Sequence, residues 1–229
     1  MLFPLSSSSV HFIIFSRSDY SDYPLLLSFG RQEIGGDVVC PAYALIANKQ
    51  QNEAILILRG TQSFADWKIN VSNGSAPYTY YGGQDGSKKV DGRVQFGFYR
   101  AAMTLLAANC LNMLLVDLLD KGFQLKIVGH SLGAAVTAVV LMELKKTLVD
   151  CKLQSGTGGK ADGGKKTAKS ANSEAGDGNA GSVLQNVRTI IYGCPPVITT
   201  EIADQLYKDN HIVACVNGHD MVQKYKMHS

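Results

Sequence analysis

The chain has 229 residues, of which 45% are hydrophobic and 18% charged, with a formal net charge of +3. That length holds one α/β domain with a substantial core, and the composition is ordinary for a globular protein. So small a positive charge gives no support to nucleic-acid binding. Five scattered cysteines without a CxxC pair or a Cys/His spacing exclude a zinc site of the usual kind.

The opening "MLFPLSSSSVHFIIFS" lacks the basic region and the uninterrupted apolar run of a signal peptide. No window reaches about 18 consecutive apolar residues, so no membrane span is expected, and cytoplasmic or membrane-associated placement is favoured. Residues 1–36 read as a poorly defined N-terminal segment, and the α/β domain as 37–229. "VVCPAYALI" (Val38 to Ile46) reads as one strand and "EAILILRG" (Glu53 to Gly60) as a second, joined as a hairpin by the polar turn "NKQQN". A Gly/Tyr/Ser-rich loop is expected from Ser72 to Gly92.

From Phe96 to Leu119 the apolar residues recur at helical spacing, giving one helix or a broken pair. "FQLKIVG" is a buried type of strand, and "LGAAVTAVVLMELKKTL" a helix apolar nearly all round. Gln154 to Ser182 has no aromatic and no large aliphatic residue, so it reads as a disordered surface insertion. After it come a strand "VRTIIYG", a helix "TTEIADQLYKD" and a strand "HIVACVNG". Strands alternating with helices imply a mostly parallel sheet flanked by helices. The odd cysteine count fits free thiols, and the apolar runs around Cys110 and Cys215 place both in the core.

Gly129-His130-Ser131-Leu132-Gly133 fits G-x-S-x-G between a strand and a helix. Such a nucleophile elbow forces strained backbone angles on its serine. Side chains two residues before and two after would collide, so glycine is required at 129 and 133. An acyl-transfer site also needs two N–H donors for the oxyanion. Leu132, following the serine, supplies one; Thr61, in the turn after "AILIL", stands where the second belongs, and its hydroxyl adds a further donor. A plain strand-end turn accounts for Gly60-Thr61 equally well when that segment is taken alone.

"LRGTQSFADW", "GHSLGAA", "YGCPP" and "VNGHDMV" together resemble, in order and spacing, the class 3 (fungal-type) lipase family. "GHSLGA" and the plain "PP" look closest to its sn-1-specific diacylglycerol lipase branch. The resemblance covers about residues 38–223, apart from the insertion. It implies an α/β-hydrolase fold, C-terminally incomplete here, and a Ser-Asp-His triad in that chain order. It further implies hydrolysis of acyl esters in acylglycerols or phospholipids, transient contact with a membrane or lipid-droplet surface, and chemistry without metal or other cofactor. On this resemblance Ser131 matches the nucleophile, Asp220 the acid, and Thr61 and Leu132 the oxyanion hole. "SFADWKIN" falls where many members begin a lid, with Trp67 either an apolar lid residue or packed on the sheet edge.

Three departures stand out. Gln95 occupies a position where a histidine is common, a structural matter on this reading. "MVQK" after Asp220 lacks the usual proline. The catalytic histidine is not evident: His11 precedes the sheet, His130 adjoins the serine, His211 reads as a solvated edge residue, and His219 is the direct neighbour of Asp220. Only His228 follows Asp220 with any spacing. One reading is therefore a serine esterase; the alternative is a truncated or inactive lipase-like protein that binds lipid or a partner. A third keeps the fold and changes the substrate to a peptide or thioester.

Overall fold

The computed structural model describes residues 25–29, 32–34, 38–60, 74–83, 85–156, 185–209 and 211–215. Its centre is a six-stranded sheet in the order β1-β4-β5-β8-β9-β10. The strands are β1 (Leu25–Phe29), β4 (Tyr43–Asn48), β5 (Glu53–Leu58), β8 (Gln124–His130), β9 (Val187–Tyr192) and β10 (Ile212–Cys215). β5, β8, β9 and β10 run parallel, while β1 and β4 join antiparallel at one edge.

The expected β4–β5 hairpin forms. Its turn is closed by the Asn48 side chain, whose Oδ1 accepts from the Gln50 and Gln51 amides at 2.9 and 3.0 Å. The single strand expected over Val38–Ile46 is instead two. Pro41 has no N–H to give a ladder, so β3 (Val38–Cys40) stops there and pairs with β2 (Gln32–Ile34) in a separate ribbon.

A second departure lies in the segment expected to be a loop. β6 (Ser75–Gly82) and β7 (Lys88–Gln95) form a long antiparallel hairpin. Tyr78 and Tyr80 fall on one face of the extended chain. Tyr80 is fully buried, Tyr78 is partly buried, and both pack into the core. β7 runs directly into α1 (Phe96–Ala107), and Gln95 caps that helix by accepting from the Phe98 amide through Oε1 at 3.0 Å. The structural role expected for Gln95 is thus a helix cap. Gln95→Ala should lower stability by about 1 kcal/mol, read as a shifted urea midpoint with an unchanged slope.

The helical stretch after β7 is the broken pair. α1 and α2 (Leu111–Asp120) meet at 69° across a 3₁₀ turn, with Cys110 at φ 55. Cys110 therefore sits on an exposed corner, and Cys215 ends β10, the edge strand among those described, and is exposed; neither is in the core as expected. No single described helix is long and apolar enough to cross a membrane.

α3 (Leu132–Gly156) is buried nearly all round because it lies between the sheet on one side and α1 with β6 on the other. It runs two residues past the point where the insertion was expected to begin; residues 157–184 lie outside the described set. Near its middle it carries Lys145, whose Nζ reaches Asp209 Oδ2 at 2.7 Å and the Tyr80 hydroxyl at 3.0 Å. The two charged side chains are 1% and 4% exposed. Asp209 is the C-cap of α4 (Thr200–Lys208), so this pair ties α3, α4 and the β6–β7 hairpin together.

His211, expected as a solvated edge residue, is 4% exposed. Its ring lies within the electrostatic reach of the Lys145–Asp209 pair, a long-range feature that strand-edge position alone does not reveal.

Candidate active site

Ser131 sits between β8 and α3 with φ 55, one of three non-glycine residues in the left-handed region among those described. For an L-residue that conformation is strained by roughly 1–2 kcal/mol. It persists because the corner is fixed on both sides. The Ser131 amide donates to the Tyr192 carbonyl on β9 at 2.9 Å, and the Ser131 carbonyl accepts from Ala134 and Ala135 at 2.9 and 3.2 Å, starting α3.

The two glycines of the motif are required by close approach. A Cβ on Gly129 would meet the Thr137 hydroxyl and lie 2.5 Å from the Gly133 carbonyl oxygen. One on Gly133 would lie 2.6 Å from the Leu58 carbonyl oxygen and 2.9 Å from Arg59. The elbow is thus wedged against the end of β5 as well as against itself, and side chains at these positions are excluded by backbone rather than by movable groups.

Gly60, one residue before Thr61, belongs to the segment for which a plain strand-end turn was the alternative. A Cβ there would stand 2.8 Å from the His130 carbonyl oxygen and 3.3 Å from Ser131 Cβ. The segment leading to Thr61 therefore passes directly over the serine. The sequence signal was present, since Gly60 ends a strand immediately before a candidate oxyanion residue.

The ends of the parallel strands converge on this corner. Leu58 pairs with Gly129, Gly129 with Ile191, and Ile191 with Ala214. Four strands thus end on one edge of the sheet around Ser131, the position at which parallel α/β sheets present their sites. Leu132 opens α3 and is buried; its amide belongs to a first helical turn, whose N–H groups have no partner within the helix and favour negative charge. Thr61, Trp67, Asp220 and His228 lie outside the described residues. Of the neighbouring segments, β5 ends three residues before Thr61 and β10 ends five before Asp220.

Two further groups near the corner are set by their surroundings. His130 is exposed, with Nδ1 3.5 Å from where a Gly60 Cβ would stand. Cys194, just after β9, is desolvated so far that its thiol is pushed up to about 12, which removes it as a nucleophile near neutral pH.

The family model for lipase (class 3) matches residues 55–228. Similar solved structures include Rhizomucor miehei lipase in its propeptide complex, 16% identical with a TM-score of 0.55 over 88% of this chain and 51% of that one. Lipase II from Rhizopus niveus is 15% identical, TM-score 0.55, over 88% of this chain and 60% of that one. A fungal lipase–inhibitor complex is 16% identical, TM-score 0.56, with the same 88% and 60% coverage. The chain thus spans between about half and three-fifths of the length of these structures. No curated protein sequence matches it. At such identities the structures speak for the fold alone, an α/β-hydrolase fold with a mostly parallel sheet flanked by helices. The family match, running from β5 through the elbow and past β10, decides the rest: this chain belongs to the class 3 lipase family.

Proposed function

We propose that the chain is a serine-dependent acyl ester hydrolase acting on glycerolipids, with diacylglycerol-like substrates favoured by the look of "GHSLGA" and "YGCPP". The observation that carries this reading is Ser131 held at φ 55 on the sheet edge where β5, β9 and β10 also end. Structures of the same fold include one described as a triacylglycerol lipase with a serine-protease triad at its catalytic centre.

In the proposed reaction Ser131 Oγ attacks the ester carbonyl as its proton passes to a base. The Leu132 and Thr61 amides hold the oxyanion. The acyl–oxygen bond breaks, the proton goes to the leaving alcohol, and water then releases the fatty acid from the serine. Asp220, carried a few residues beyond β10, orients the base and stabilises its cation.

Neither described histidine suits the base. His211 heads β10, four residues and about 13 Å back from the edge on which Ser131 stands. His130 lies within the elbow, its ring beside Gly60. His228, eight residues past Asp220, is the candidate this sequence carries. Trp67 is proposed as an apolar contact on a lid meeting the lipid surface.

Treatment of the chain with a fluorophosphonate probe should label Ser131, mapped by peptide mass spectrometry, and Ser131→Ala should remove the label. No label at Ser131, or a label that survives the substitution, overturns the reading.

A further inference from the structure

His211 is a buried imidazole in which neither Nδ1 nor Nε2 has a hydrogen-bond partner among the described residues. Buried polar groups are nearly always paired, so an unpaired one calls for a reason. Three charged groups act on the ring, Lys145 from α3, Asp209 from the end of α4 and, most weakly, Arg188 from β9, and the Val187 backbone favours the protonated form. Two of the three are cations. The one anion is already occupied, accepting from Lys145 Nζ at 2.7 Å, the Tyr80 hydroxyl at 2.8 Å, Gln205 Nε2 at 2.7 Å and the Gly83 amide at 3.1 Å. The neutral ring is tolerated there, whereas an imidazolium would be a further buried cation beside Lys145, and the Val187 backbone, the one hydrogen-bonding group that favours it, does not outweigh its burial.

The same residue stands at the head of the edge strand. β10 is laddered only to β9 among the described strands, and the His211 carbonyl accepts from the Thr189 amide at 2.9 Å to start that ladder. Beyond it the strand is poorly anchored. Ile212 is half-buried, Val213 is 54% exposed, and Ala214 and Cys215 are exposed. The burial that holds β10 to the domain is therefore concentrated in His211 and Ile212.

We propose that His211 is an acid-sensitive latch on β10. Neutral, it fills the buried space beside the Lys145–Asp209 pair and keeps the strand on β9; protonated, it leaves that space and releases the strand. The direction follows from burial first and the Lys145 cation second, which hold the ring below its ordinary 6.5 while β10 is attached. A detached ring titrates normally. Attachment is therefore complete above pH 6.5 and weakens as pH falls, by up to about tenfold per unit, until the lowered value of the attached ring is reached. Asp209 does not contribute in this window, because its carboxyl is held below 3.8. The latch stands on the position of β10 alone and holds whether or not the chain is a hydrolase.

Amide hydrogen exchange on the full chain, corrected for intrinsic rates between pH 7.5 and 5.0, tests it. The β10 amides that donate to β9 should lose protection by about tenfold per unit below pH 6.5, while those of β8 stay level. His211→Gln and His211→Met should both make β10 insensitive to pH in this range. The same pH dependence in wild type and variants, or β10 and β8 losing protection together, overturns the latch. In the unmodified chain, NMR titration of the ring decides independently of how the variants fold. A ring titrating at 6.5 with no change in β10 also overturns it.

Discussion

Ser131→Gly is expected to gain about 0.5–1 kcal/mol of stability while losing ester hydrolysis by roughly 10⁴- to 10⁶-fold. The two effects share one cause. Ser131 occupies φ 55, which a serine adopts under strain and a glycine adopts freely, although the glycine gives back part of the gain through greater freedom in the unfolded chain. Ser131→Ala is the matched control: it keeps the strain and removes the Oγ. Its stability should stay within about 0.5 kcal/mol of the parent, and its activity should fall as far as that of the glycine variant. Urea melts and turnover of a diacylglycerol or a fluorogenic ester give both quantities. An alanine variant that keeps its rate would remove Ser131 from the chemistry. A glycine variant no more stable than the alanine one would remove the strain.

Asp209→Ala should destabilise the protein by about 3–5 kcal/mol, a large part of the 5–15 kcal/mol typical of a domain. The loss would appear as a drop in Tm on the order of 10 °C. Lys145 is 1% exposed, and without Asp209 its ammonium keeps, among the described residues, the Tyr80 hydroxyl at 3.0 Å, the face of that ring 5.0 Å away and the weaker pull of Asp85. Burial already lowers the Lys145 ammonium against the pull of Asp209, a sign that the site tolerates the charge only because it is paired. The converse substitution, Lys145→Met, should be milder, since Asp209 retains Tyr80, Gln205 and the Gly83 amide. Lys145→Met combined with Asp209→Asn, which neutralises both ends, should recover part of the stability lost in Asp209→Ala. Burial alone would raise the Asp209 carboxyl, but the hydrogen bonds from Lys145, Tyr80 and Gln205 outweigh it and hold it below 3.8. The contribution of Asp209 is therefore present above that value and is lost as pH falls through the lowered one. An Asp209→Ala protein within 1 kcal/mol of the parent would mean the pair does not hold α3 and α4 together.

What was legible in the sequence was local. The elbow could be read because strand, corner and helix lie within some twenty residues, and because the collisions that demand Gly129 and Gly133 are set by the corner itself. The parallel strands could be read as apolar runs, and α1 and α2 as a helical repeat whose break was one of two options. The β6–β7 hairpin was hidden by composition: its glycines and serines suggest a loop, and only Tyr78 and Tyr80 at a spacing of two betray a strand with one buried face. Lys145 and Asp209 lie 64 residues apart, and nothing in either neighbourhood announces the other. His211 was misjudged for the same reason, because its burial is supplied by elements distant in the chain. The candidate site divides in the same way, with Ser131 and Leu132 placed by the corner, while Thr61 and Asp220 are approached only through the strands that lead to them.

The described chain breaks off at residue 156 and resumes at residue 185, both far from the serine. α3 starts at the elbow and carries the chain 25 residues away before residues 157–184 begin. The chain is taken up again just before Val187, which pairs with Leu125 near the start of β8. Six residues of strand, about 20 Å, separate that level from Ser131. Changes of length between residues 156 and 185 should therefore leave the geometry around Ser131 undisturbed. For the same reason this segment is the place to graft a reporter protein or an affinity handle onto this fold.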